Sequence, residues 1–62
     1  MDREKISILI VDDERDILEA LKTHLELETY RVTIAESAEK ALSLIEKETF
    51  HIIITDINMP TI

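Results

Sequence analysis

The sequence predicts an α/β fold with the element order βαβαβ, built on a parallel sheet. Short strand-like runs at 6–11, 30–35 and 51–56 alternate with segments of helical periodicity at 14–27 and 38–47. Strands that alternate with helices form parallel sheets, because each helix returns the chain to the same end of the sheet. We therefore predict three parallel strands and two helices in one domain.

The three strand-like runs differ in how they are patterned. The run at 6–11 is almost wholly apolar, which indicates a strand covered on both faces. In the second run Tyr30, Val32 and Ile34 alternate with polar residues, which is typical of a half-exposed strand at a sheet edge. Three consecutive isoleucines at 52–54 predict that the third strand is an interior strand.

Both helical segments have an apolar face and recognisable ends. Ser37 is a good N-cap for the second helix, and 28–29 forms the turn after the first. The chain has no glycine, so its turns must form without the residue that most easily adopts positive φ. The predicted buried faces consist of Ile17, Leu18, Leu21 and Leu25 in the first helix and Ala38, Ala41, Leu42 and Ile45 in the second.

The composition of the chain excludes several classes of protein. Sixty-two residues form at most one domain, and its core is marginal. The absence of cysteine excludes disulfides and thiolate zinc sites, which leaves metal binding through oxygen or association with another chain. A net charge of −7 argues against direct nucleic-acid binding. No apolar run is long enough to span a membrane, so we expect a cytoplasmic protein without membrane attachment.

Acidic residues follow two of the predicted strands. Asp12 and Asp13 come directly after the first strand, and Asp56 ends the third. If the first strand lies between the other two, all three carboxylates converge at the edge where ligands bind in open parallel sheets. Their mutual repulsion is relieved by a divalent cation such as Mg²⁺, and a carboxylate beside such a cation can form an acyl phosphate.

Simpler interpretations of these residues stay open at this point. Asp12 and Asp13 can cap the following helix, and Asp56 can be an ordinary polar strand end. For His24 and His51 a solvated or packing role is more common than catalysis or metal ligation. The remaining acids are interpreted as a solvated face; they are Glu36, Glu39, Glu46 and Glu48.

The chain resembles the response-regulator receiver domain of two-component signalling. The resemblance rests on Ile-Leu-Ile-Val-Asp-Asp-Glu at 8–14 and on Asp-Ile-Asn-Met-Pro at 56–60. It implies the N-terminal half of a flavodoxin-like, doubly wound parallel sheet, with strand order 2-1-3 and one helix on each face. It also implies that Asp56 accepts a phosphoryl group from a sensor histidine kinase, so that the intact protein is a phosphoprotein.

The resemblance further implies a Mg²⁺ site. Asp13 matches the residue that binds the metal directly, Asp12 the acid that acts through water, and Asp56 a third carboxylate. Asn58 matches the residue that supplies a backbone carbonyl to the metal. The domain is not an enzyme in this reading, although intact receiver domains assist their own phosphorylation.

Residues 1–62 match only part of the family pattern, so we interpret them as a truncated receiver domain. The family's fourth and fifth strands are not present, nor are the Ser/Thr and Lys that follow those strands and the switch aromatic. Thr29 and Ala38 stand where the family commonly has glycine, which predicts strain in two turns.

The alternative function is that of a half-domain fragment, natural or engineered, that associates without phosphotransfer. An unpaired outer edge of the third strand would favour a homodimer or larger assembly. A metal-dependent phosphatase is a more distant possibility, because such an enzyme needs more positive charge at the phosphate than this chain supplies.

Overall fold

The computed structural model describes residues 6–55 of the chain. Its five elements lie where the sequence predicts them, each starting at the predicted residue or one residue later. They are β1 (Ser7–Val11), α1 (Arg15–Leu27), β2 (Arg31–Ala35), α2 (Ala38–Lys47) and β3 (Ile52–Thr55). The predicted end of the third strand, Asp56, lies outside the described residues.

The three strands form one parallel sheet in the order β2-β1-β3, which confirms the predicted topology. Val11 lies opposite Ala35 on one side and opposite Thr55 on the other. The three strands therefore end level with one another. We call this end of the sheet the carboxyl edge, and the opposite end the amino edge.

The central strand β1 contributes side chains to two separate core clusters, one on each face of the sheet. Leu9 and Val11 face α2, in a cluster that includes Ala41. Ile8 and Ile10 face the opposite way and pack with Leu18 of α1. Phe50 packs against the cluster on the α2 side, and Tyr30 packs against the cluster on the α1 side. One helix thus covers each face of the sheet, as predicted. Each large aliphatic side chain buried here contributes about 1.5–3 kcal/mol.

The predicted apolar face of α1 is only partly covered. Leu18 is fully buried and Leu25 is half-buried, whereas Ile17 and Leu21 are exposed. The helix contacts the sheet along the line that contains Leu18 and Leu25. The periodicity thus identifies the apolar face, but the sheet covers only one side of it.

The same correction applies more strongly to α2. Ala38 and Ala41 are buried as predicted, but Leu42 is 61% exposed and Ile45 is also exposed. Small residues allow the helix to approach the sheet closely, and the larger side chains then lie on its flank. Leu44, which the predicted face did not include, packs against the core instead.

Within the described part of the chain β3 is not the interior strand that its three isoleucines favour, but the edge strand that the predicted order 2-1-3 requires. There β3 pairs with β1 alone and forms an edge of the sheet, and Ile52, Ile53 and Ile54 are each 40–47% exposed. An apolar groove of about 190 Å³ runs between β3 and α2. Its lining residues are Val11, Ala38, Ala41, Leu42, Ile45, Ile53 and Thr55.

Three hydrogen bonds fix the N-terminal ends of α2 and β3. Ser37 accepts a hydrogen bond from the Lys40 N–H at 3.2 Å and so caps α2 as predicted. At the amino edge His51 makes two contacts with Ser7. Its backbone N–H donates to the Ser7 carbonyl at 2.9 Å, and its Nδ1 accepts from the Ser7 N–H at 3.0 Å. His51 therefore extends the β1–β3 ladder with its side chain.

In the turn after α1 a residue other than glycine adopts a positive φ. Thr29 has φ 71°, and its N–H donates to the Glu26 carbonyl at 2.9 Å. The Tyr30 N–H donates to the Leu25 carbonyl at 3.3 Å, and the two side chains share one core cluster. This is a Schellman motif with a β-branched residue at the position that glycine usually occupies. Strain is thus confirmed at Thr29, whereas Ala38 opens a helix without positive φ, so the strain predicted there is wrong.

Replacing Thr29 with glycine is expected to stabilise the fold by roughly 0.5–1 kcal/mol. The substitution removes the clash of the β-carbon in the left-handed region, and the added chain entropy of the unfolded state offsets part of that gain. Denaturant unfolding measures the difference. The matched control is Thr23→Gly within α1, where the same chemical change should destabilise the fold. A loss of stability in Thr29→Gly would contradict the strain at this turn.

Candidate functional site

Asp12 is the residue at which β1 meets the carboxyl edge. Its N–H donates to the Ala35 carbonyl at 3.1 Å, so the backbone contact with β2 continues one residue beyond the strand. Asp12 is only 8% exposed at this position. It is the buried charged residue of the described part of the chain.

A side-chain hydrogen bond fixes the orientation of the Asp12 carboxylate. Its Oδ1 accepts from the Glu14 N–H at 2.9 Å. Glu14 is itself the N-cap of α1 and makes no side-chain capping bond. Neither Asp12 nor Asp13 therefore caps the helix, so the helix-cap interpretation of this pair is wrong. Asp13, between them, is exposed.

The third predicted acid is Asp56, which lies outside the described residues together with Asn58. The structure does show the strand ends that precede the two acidic segments. Thr55, the last residue of β3, lies opposite Val11, the last residue of β1. Adjacent parallel strands thus lead to the two predicted halves of the site at the same edge.

The described residues do not by themselves form a metal site. Within 6–55 there is no group of three or more His, Cys, Asp or Glu side chains that could hold a metal ion. Asp12 and Asp13 provide carboxylate oxygens, the donor type that Mg²⁺ prefers. The residues present therefore fit this cation chemically, and the predicted ligand set stays a prediction.

An ion pair joins the loop that contains these acids to the neighbouring loop. The Arg15 guanidinium Nη1 lies 2.6 Å from Glu36 Oε1, and the two side chains are 60% and 40% exposed. Arg15 is the first residue of α1, and Glu36 follows the last residue of β2. Sequence reasoning placed Glu36 on a solvated face and did not single out Arg15. The partners are 21 positions apart in the sequence, so only the strand order indicates that they meet.

The two histidines lie away from this edge. His51 is at the amino edge, bonded to Ser7, and His24 lies in the last turn of α1. Glu39, Glu46 and Glu48 are exposed, in agreement with a solvated face. No helix within the described residues is long and apolar enough to cross a membrane.

Comparison with known proteins gives one consistent family. The sequence matches the model of the response regulator receiver domain over residues 8–62. It is also 42% identical over 55 residues to the response regulator SaeR of Staphylococcus aureus strains USA300, NCTC 8325 / PS 47 and COL. That match covers 89% of this chain and 24% of each relative, so the chain spans about a quarter of the length of these relatives.

The Asp12 hydrogen bond predicts a difference between the two adjacent acids. In metal-free solution Asp12→Ala should lower the free energy of unfolding by about 0.5–1.5 kcal/mol, since the Glu14 N–H loses its acceptor. Asp12→Asn keeps that acceptor and is the matched control. Asp13→Ala should change stability by less than about 0.5 kcal/mol, because the side chain is exposed. Equal effects of Asp12→Ala and Asp13→Ala in denaturant unfolding would contradict this assignment.

Proposed function

Since the chain belongs to the family of response regulator receiver domains, we propose that it acts as a phosphoacceptor in a two-component phosphorelay. The observation that carries the proposal is the placement of Asp12 and Asp13 at the carboxyl edge, beside the strand that leads to Asp56. In open parallel sheets this edge is where ligands bind. The family match extends through Asp56 and Asn58.

In the proposed reaction Asp56 is the nucleophile. A carboxylate oxygen of Asp56 attacks the phosphorus of a phosphohistidine on a sensor histidine kinase. The O–P bond of an acyl phosphate forms as the N–P bond breaks, and the electron pair of that bond returns to the imidazole nitrogen. The kinase supplies the phosphoryl group, so the domain is a substrate that assists the transfer and not an enzyme with its own turnover.

Mg²⁺ is the cofactor that we propose for this site. When bound, it offsets the charge of the phosphoryl oxygens and of the acidic side chains. Asp13 is the direct ligand in this proposal, and its exposure leaves it accessible to a hydrated cation. Asp12 acts through water, with its carboxylate oriented by the Glu14 N–H. Asp56 and the Asn58 carbonyl complete the ligand set.

The partners and location follow from this chemistry. The proposed partner is a sensor histidine kinase, and the proposed location is the cytoplasm, where such a kinase has access to ATP. The net charge of −7 is unfavourable for direct contact with nucleic acid, so we assign none to this segment.

The proposal predicts a phosphoryl adduct on Asp56. Incubation with Mg²⁺ and a small phosphodonor such as acetyl phosphate should add the mass of one phosphoryl group, measured on the intact protein. Asp56→Asn should abolish the adduct, and Asp13→Asn should slow its formation by at least about tenfold, because a direct metal ligand is lost. Asp16→Asn, which removes an exposed acid from the first turn of α1, is the control. An adduct that persists in Asp56→Asn would contradict the assignment.

The exposure of β3 supports a second proposed property, which applies to a polypeptide limited to these 62 residues. In the described part of the chain, the outer edge of β3 has no strand partner, and three isoleucines flank it at 40–47% exposure. The other sheet edge, β2, carries Arg31, whose charge discourages pairing. We propose that such a polypeptide forms a homodimer or larger assembly through the β3 edge, as an interaction module.

Size-exclusion chromatography with light scattering at several concentrations tests this self-association. The 62-residue polypeptide should elute as a dimer or larger species at tens of micromolar. Ile53→Lys should shift it toward monomer, because a charge on β3 opposes pairing with a second copy. Thr33→Lys places the same charge on the β2 edge and should leave the assembly unchanged. A folded monomer of the unsubstituted polypeptide would rule the proposal out.

A further inference from the structure

The loop that follows β1 is held at three successive points. The Asp12 N–H is bonded to Ala35, and the Asp12 carboxylate accepts from the Glu14 N–H. One residue later Arg15 forms its ion pair with Glu36. The first contact ties the loop to β2, and the ion pair ties it to the residue that follows β2. The loop at 12–14 is thus fixed at both of its ends.

We propose that the Arg15–Glu36 ion pair is a latch that positions Asp13 for Mg²⁺. Arg15 is then a positioning residue, which touches neither the metal nor the phosphoryl group and acts through the loop. This inference rests on the proposed function for its purpose, since it concerns the metal affinity and phosphorylation rate of the same site. Its structural part, the ordering of the loop, can be measured without metal.

The need for a latch follows from the exposure of Asp13. A buried ligand is held by its surroundings, as Asp12 is, but an exposed one depends on the order of its backbone. A loop that is disordered before binding loses conformational freedom when it binds, and that loss reduces the affinity. A loop ordered beforehand avoids this loss. An exposed ion pair contributes little to global stability, so its effect should be local to the loop.

Simple electrostatics offers a competing account with the opposite consequence. A guanidinium beside acidic ligands repels Mg²⁺, so its removal should raise metal affinity. Removal of the Glu36 charge should lower the affinity for the same reason. The latch predicts a loss of affinity in both cases, because either substitution breaks the ion pair. The signs of the two effects therefore separate the accounts.

The first experiment measures Mg²⁺ affinity by isothermal titration calorimetry in the protein as it is naturally expressed. Arg15→Met and Glu36→Gln should each weaken binding by about two- to fivefold, the range of an exposed ion pair. The double variant Arg15→Glu with Glu36→Arg restores a pair in reversed orientation and should recover most of the affinity. Opposite signs for the two single variants would overturn the proposal in favour of electrostatics.

Control variants use the same charge changes at the other end of the fold. Lys47→Met and Glu46→Gln lie in the last turn of α2, are exposed, and remove one charge of each sign. Neither should alter Mg²⁺ affinity by as much as twofold. A loss in both that equals the loss in Arg15→Met and Glu36→Gln would overturn the latch, because the effect would then not depend on this loop.

The second experiment needs no metal and no phosphodonor. Hydrogen exchange of the Glu14 amide, which donates to Asp12, should become about two- to fivefold faster in Arg15→Met and in Glu36→Gln. The reversed pair should restore slow exchange. Unchanged exchange in both single variants overturns the latch. Failure of the unsubstituted protein to bind Mg²⁺ or to be phosphorylated on Asp56 would instead reject the proposed function, and the exchange result would still decide the latch.

Discussion

β1 is hydrogen-bonded to a strand on each side and covered by a helix on each face, and every other feature depends on this burial. Ile8, Leu9, Ile10 and Val11 are each no more than 3% exposed. A buried backbone must satisfy its N–H and C=O groups internally, and β1 does so through β2 and β3. Asp12 follows directly after β1, and its N–H bond to the Ala35 carbonyl holds it at the carboxyl edge.

Much of this arrangement could be predicted from the sequence because it follows from local patterns. Aliphatic runs of strand length, helical periodicity and a serine cap define the elements, and the alternation of strands and helices requires a parallel sheet. The position of Asp12 and Asp13 follows directly, since they succeed the most apolar run. Their placement beside the end of β3 needed the strand order as well, which the resemblance implied and the structure confirmed.

What could not be predicted depends on contacts between distant parts of the chain. Periodicity identified the apolar face of α2 but not how much of that face the sheet covers. The exposure of Leu42 and Ile45 was therefore not predicted. The Arg15–Glu36 pair has no sequence signal, because charged residues are common and the partners are far apart. Likewise, acidic residues before a helix suggest a cap, and only the geometry shows that Asp12 bonds to the N-cap residue Glu14.

The proposed site places its two described acids in different physical environments, and that difference bears on how a phosphoacceptor can work. A buried, hydrogen-bonded carboxylate such as Asp12 keeps one orientation at little further entropic cost, but it is hard for a hydrated ion to reach. An exposed carboxylate such as Asp13 can exchange water for metal, but only an ordered backbone keeps it in place. A loop with one buried acid, one exposed acid and an ion pair beyond them combines both properties. In this proposal the sheet fixes Asp12, and the latch fixes the backbone around Asp13. Both acids are then already close to the positions that metal binding would require.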